Sequence, residues 1–174
     1  DFKEFDNIIL VIGKTEGHID QSLLSRIILN EKNGPPPEVN LFNEKNNGLT
    51  LLNLIEKKFI KSAHDVSLGG IIIAISKMCI KGNKGIKLIK PKSLINEIEY
   101  FFSEDQGRYL IEINPENFKE VVKILDKNSV HYDEIGKIID KDMIVDDKTK
   151  LTIDELRSYN TCLLYTSPSP RDTR

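Results

Sequence analysis

The run SAHDVSLGG, residues 62–70, gathers small, polar and glycine residues immediately ahead of the apolar stretch IIIAISKMCI. Each of its polar positions offers chemistry. Gly69 and Gly70 allow close backbone approach, and a helix starting there points its first free N–H groups outward at the positive end of its dipole. Such an end favours an anion, phosphate above all. Ser62 and Ser67 add hydroxyl donors, and His64 could donate to the anion or orient Asp65. Ionised Asp65 only accepts hydrogen bonds, so it suits Mg²⁺ or a cap better than a bare phosphate. The same residues also fit a plainer arrangement, with Ser67 as an N-cap, Gly69-Gly70 as a tight strand-to-helix turn and His64 as a satisfied half-buried side chain.

A second constellation lies in FFSEDQGRYLIEI, residues 101–113. Glu104, Asp105 and Gln106 could coordinate a cation or hydrogen-bond a ligand's hydroxyl and amide groups. Arg108 could grip a carboxylate or phosphate as a bidentate fork. An ordinary surface loop whose Glu and Arg pair with each other reads equally well. His18 and His131 are isolated and read as surface or edge residues. GKTEG lacks the preceding glycine of a phosphate-binding P-loop, and neither a nucleophile elbow nor a histidine metal cluster is present.

The elements that must position these residues follow from periodicity. Asn7–Gly13 is a continuous apolar run ended by glycine, as in a buried strand. The spacing predicts a helix over Asp20–Leu29 with Asp20 as its cap. NGPPPEVN is a stiff extended connector, because three prolines remove donors and fix φ. GLTLLNLIEKKFI repeats helical spacing through Leu52, Ile55 and Phe59. Ile60–His64 is a short strand, Gly69–Ile80 a helix apolar nearly all round, and IKLI a strand stopped by Pro91. Ser93–Phe102 reads as a helix capped by Ser93, Arg108–Ile113 as a strand, and Pro115–Leu125 as an amphipathic helix. HYDEIGKII and DMIVDD are further strands, and Thr152 with Glu155 forms a capping box for a last helix. Such intermixing predicts an α/β (α+β) class, a mixed sheet covered by helices.

The chain has 174 residues, 39% of them hydrophobic and 30% charged, with a net charge of −2. That is enough for one core, and the charge provides no field favouring nucleic acid or an anionic membrane. No apolar run is long enough to span a bilayer. Cys79 and Cys162 make neither a disulfide framework nor a metal site, which points to a reducing, cytoplasmic setting. The chain starts at Asp1 without a Met and reads as a piece of something longer. Residues 1–160 are expected to form one domain. In residues 161–174 the composition changes, and CLLYTSPSPRD resembles a translated sequencing adapter, so a non-native tail is expected there.

Three segments in order carry a resemblance: VIGKTEGHIDQSLLSRIIL with the later PPPEVNL, then SAHDVSLGGIIIAISKM, then FFSEDQGRYLIEI with the IGKI strand. Together they resemble the C-terminal portion of the phosphoribosylformylglycinamidine synthase family, within the aminoimidazole ribonucleotide synthetase-like superfamily. The likeness runs from Asn7 to Ser158. It implies a purine-biosynthetic ligase that uses ATP and Mg²⁺ to join glutamine-derived ammonia to formylglycinamide ribonucleotide. It also implies a glutaminase partner and, in split forms, a small bridging subunit. The family chain is an internally duplicated pair of N- and C-domains, and this stretch is similar to the last C-domain. By that resemblance Asp65 falls where the first half carries a metal-binding aspartate. Glu104, Asp105 and Gln106 fall on its substrate-contacting Glu-Ser-Gln, with Asp105 in place of the serine. The resemblance leaves two roles open for this stretch, a phosphate or nucleotide half-site and a non-catalytic structural and docking module. A related superfamily kinase is a third possibility, which FSEDQGR argues against. Without the nucleotide-binding domains the stretch alone is expected to be inactive.

Overall fold

The structure, a computed structural model, describes residues 1–31, 33–92 and 95–166, the last six as backbone only. Seven strands form one mixed sheet: β1 (Ile8–Ile12), β2 (Ile60–Asp65), β3 (Gly85–Leu88), β4 (Tyr109–Ile113), β5 (Tyr132–Ile139), β6 (Met143–Val145) and β7 (Thr149–Leu151). Their order is β2-β4-β1-β5-β3-β6-β7. Among these pairings only β3 with β6 is parallel. The helices are α1 (Leu41–Glu56), α2 (Gly70–Gly82), α3 (Glu97–Phe102), α4 (Phe118–Lys127) and α5 (Ile153–Thr166).

β1 lies near the middle of the sheet, and its five residues are all buried. Alternation along the strand divides them between two cores. Ile9 and Val11 join the layer made by α2, α3 and α5. Ile8, Leu10 and Ile12 join the layer made by α1 and α4. A strand covered on both faces reads as a continuous apolar run, which explains NIILVIG. The mixed sheet between two helical layers is the expected class.

Several boundaries differ from expectation for local physical reasons. In place of a helix over Asp20–Leu29 there is a π-helical turn, Leu24–Ile28, with no side-chain cap. The amide of Leu23 is taken by the carboxylate of Glu104 at 2.8 Å, so the segment is anchored from outside and not by Asp20. Its Ile27 and Ile28 are exposed. α1 begins before the predicted segment, capped by the Asn40 side chain on the Asn43 amide. It buries Leu51 and Leu54, while Leu52 and Ile55 face outward and Phe59 follows the helix. Ser93 lies outside the described residues; α3 starts from Asn96, which forms a capping box with Glu99. The Thr152–Glu155 box is present, and α5 runs on to Thr166. Residues 167–174 of the expected non-native tail lie outside the described residues.

Candidate functional site

The two polar motifs meet in space, as a functional pairing would require, but they satisfy each other. The carboxylate of Glu104 accepts the amide of Gly69 at 2.8 Å. The Gly70 amide is bound to the Ser67 carbonyl at 3.0 Å. Gly70 has a φ of +70, and a Cβ there would lie 2.5 Å from the Ser103 carbonyl oxygen. Glycine is therefore required so that the start of α2 can press against the backbone of residues 101–103. The positive end of α2 does hold an anion, and that anion is Glu104. The two amides that the sequence offered to a phosphate are, in this structure, taken by Glu104 and the Ser67 carbonyl.

Asp105 is engaged in the same manner. Its carboxylate accepts three successive backbone amides, from Glu16 at 3.0 Å, Gly17 at 3.1 Å and His18 at 3.2 Å. Consecutive amides converging on one anion form a nest. Arg108 stands behind the loop, 1% exposed. It donates to the Ser103 carbonyl at 2.7 Å, the Asp105 carbonyl at 3.2 Å and the Thr15 hydroxyl at 3.0 Å. Its Nη1 also lies 3.6 Å from the Asp105 carboxylate. Burial lowers the Arg108 pKa, with the charges of Asp105 and Tyr100 acting against that shift. A guanidinium with these internal acceptors is a keystone of the loop and not a fork for an outside anion.

The remaining candidates sit at the sheet edge. Ser62 donates to Glu112 at 2.8 Å. Glu112, on β4 and fully buried, also accepts the amides of Lys3 and Glu4 and the side-chain amide of Asn7. Sequence reading missed Glu112, because a lone glutamate in an alternating strand looks solvent-facing; its only signal was a charge inside an otherwise apolar stretch. His64 places Nδ1 2.6 Å from the Asp65 carbonyl, which can only accept, so that nitrogen carries the proton. The Asp65 side chain is 68% exposed. Among the described residues no group of three His, Cys, Asp or Glu could hold a metal ion. Mg²⁺ beside a nucleotide takes one or two carboxylates together with phosphate oxygens and waters, and Asp65 offers a single exposed carboxylate toward such a set. Ser67 is exposed and contributes its carbonyl, not its hydroxyl.

One open concavity lies beside the Asp105 nest. It is a cleft of about 620 Å³ whose walls include Lys14, His18, Asn43, Asn47, Asp105 and Gln106, with Pro35–Pro37 along one side. Asn47 donates to the Gly107 carbonyl at 2.9 Å, and His18 Nε2 lies 2.9 Å from the Pro35 carbonyl. Gln106 is exposed there and donates back to the Glu104 carbonyl at 3.3 Å. Glu16, Glu38, Glu44 and Asp105 outnumber Lys14 as fixed charges in the cleft, which disfavours a phosphate. Among the described residues no activated thiol offers itself either, since burial pushes Cys79 up to about 12.

Residues 6–148 match the family described as AIR synthase related protein, C-terminal domain. The chain is 66% identical over 161 residues to the phosphoribosylformylglycinamidine synthase subunit PurL of Pelagibacter ubique, covering 92% of this chain and 22% of that one. It is 36% identical over 154 residues to the PurL subunit of Caldanaerobacter subterraneus, covering 88% of this chain and 21% of the relative. The chain thus spans about a fifth of the length of these curated relatives. Among solved structures, phosphoribosylformylglycinamidine synthase II from Thermotoga maritima superposes with a TM-score of 0.73 at 18% identity, covering 88% of this chain and 26% of that one. PurLQS from the same organism gives 0.71 at 19% identity, over 90% and 27%. At such identity the solved structures establish the fold. The match over residues 6–148 and the shared mixed sheet place the chain in the family of AIR synthase related C-terminal domains.

Proposed function

We propose that this domain is the C-terminal part of a phosphoribosylformylglycinamidine synthase subunit. In that enzyme it supports the ATP-dependent conversion of formylglycinamide ribonucleotide and glutamine-derived ammonia to formylglycinamidine ribonucleotide. The 66% identity to a PurL subunit supports the reading. Solved Thermotoga PurL structures described as complexed with ATP, ADP and FGAR give it chemical content. The cytoplasm is the compartment proposed, with Mg²⁺ accompanying the nucleotide and a glutaminase and a small bridging subunit as partners.

Within that enzyme we assign this domain the structural and docking role. One observation carries the assignment: Glu104 occupies the Gly69 amide that an incoming phosphate would need. Asp105 fills the neighbouring nest, so the Ser103–Gly107 loop is closed by its own anions. ATP and Mg²⁺ are then held by other parts of the polypeptide, and the 620 Å³ cleft contacts neutral or cationic groups. Asp65→Ala and Glu104→Ala in the full-length synthase, assayed with ammonia and ATP, test this. Near-normal amidine formation by both, with lowered thermal stability for Glu104→Ala, is the expected result. Loss of turnover in a stably folded Asp65→Ala enzyme would restore the catalytic half-site.

A further inference from the structure

α1 has two apolar stripes and only one of them is used. Leu51 and Leu54, with Asn47 and Thr50, pack onto the sheet. On the outer side Leu41 is 75% exposed, Phe42 79%, Leu49 56%, Leu52 55% and Ile55 46%. At 100° per residue these five fall within an arc of about 140° opposite the buried stripe. Lys45, Gly48 and Glu56 are the residues that interrupt it. Val39, 52% exposed, continues the patch just ahead of the helix. A surface helix of a self-sufficient domain carries polar residues there, and an apolar face of this breadth marks an interface.

We propose that the outer stripe of α1 is a docking face for another domain of the same polypeptide, with Phe42 and Leu52 as its apolar anchors. The inference rests on the reading of the chain as part of a longer synthase. The occupant follows from length and composition. The Pelagibacter relative shares 22% of its length with this chain, so most of that polypeptide lies outside the matched region and needs surfaces to pack on. The stripe has the aliphatic and aromatic character of a permanent interface, with Lys45 and Glu56 as the charges within it. A tethered neighbour reaches such a face at high effective concentration, without the polar steering a diffusing partner uses.

Hydroxyl-radical footprinting of the full-length synthase polypeptide and of the 174-residue chain tests the proposal. Phe42, Leu41 and Leu52 should be labelled readily in the short chain at every concentration and be protected several-fold in the full-length polypeptide alone. As a second measurement, Phe42→Asp with Leu52→Asp should leave the melting temperature of the short chain unchanged and lower that of the full-length polypeptide. Equal labelling in the two forms would overturn the proposal. So would protection in the short chain that grows with concentration, which means a second copy, or protection that appears only when separate subunits are added. Ammonia-dependent amidine formation by the same full-length preparation tests the synthase reading independently.

Discussion

The carboxylate of Glu104 holds the amide of Gly69 at 2.8 Å, and the same oxygen takes the Leu23 amide at 2.8 Å. One side chain thus caps the entrance to α2 and anchors the π-helical turn. Glu104→Ala leaves two partly buried amides without their acceptor and should destabilise the domain by about 2–4 kcal/mol. Glu104→Gln keeps a carbonyl acceptor and should cost less than half of that. Urea denaturation gives the two values, and amide exchange at Gly69 and Leu23 should accelerate most in the alanine variant.

Arg108 ties Ser103, Asp105 and Thr15 together from a fully buried position. Arg108→Met strands two carbonyls and leaves Asp105 with its nest but without the nearby cation. The expected cost is about 3–5 kcal/mol. Arg108→Lys should recover little, because a single ammonium cannot reach three acceptors set out for a planar fork. Chemical denaturation of both variants checks this.

Glu112 gathers the Lys3, Glu4, Asn7 and Ser62 donors. It therefore pins the segment preceding β1 against the β2–β4 edge. Glu112→Ala should cost about 2–4 kcal/mol. The local signature is faster hydrogen exchange at the Lys3 and Glu4 amides, with the β1–β4 ladder still protected.

His131 and Asp133 give a pH dependence. The Asp133 carboxylate, 3.6 Å from His131 Nε2, raises His131 above its ordinary 6.5. Burial pushes Asp133 up, but the nearby His131 and a hydrogen bond from Tyr100 outweigh it and hold the carboxyl below 3.8. A raised histidine contributes stability that is complete below its unfolded pKa and is lost as pH rises through its folded one. A depressed carboxyl contributes stability above its unfolded pKa and loses it as pH falls through its folded one. The pair is therefore strongest between roughly pH 4 and 6.5. His131 is half exposed, so screening limits the effect to roughly 0.2–1 kcal/mol. His131→Asn should lose that amount at about pH 5.5 and nothing above about pH 8, measured as urea midpoints across pH.

Asp65 lies at the sheet edge with a 68% exposed side chain, its carboxylate 3.5 Å from His64 Nδ1. Asp65→Ala should change stability by less than about 0.5 kcal/mol. Mg²⁺ titrated into the chain should give no saturable shift in melting temperature for either form. A saturable shift abolished by Asp65→Ala would show a metal site.

The strands were legible wherever an apolar run or a clean alternation ended in a turn residue, as in Ile8–Ile12, Tyr109–Ile113 and Tyr132–Ile139. β7 was not, because Thr149–Leu151 is three residues long with two of them exposed. The buried face of α1 was misplaced for a different reason. With apolar residues on both sides of the helix, periodicity alone cannot say which stripe meets the sheet, and Leu51 and Leu54 won over Leu52 and Ile55. In the candidate site the sequence pointed to the polar residues, whereas the partners they take within the fold, such as Gly69 for Glu104, were not legible in either segment.

From sequence alone came the mixed sheet between helical layers, the family likeness and the two polar loops, since hydrophobic periodicity and short motifs are local properties of a chain. Whether the amides before α2 face a ligand or a neighbouring loop is not local. Glu104 lies 35 residues from Gly69, and nothing in either segment specifies that the two will touch. Only tertiary packing brought the carboxylate to the helix end, and a buried donor takes the nearest anion whichever part of the chain supplies it.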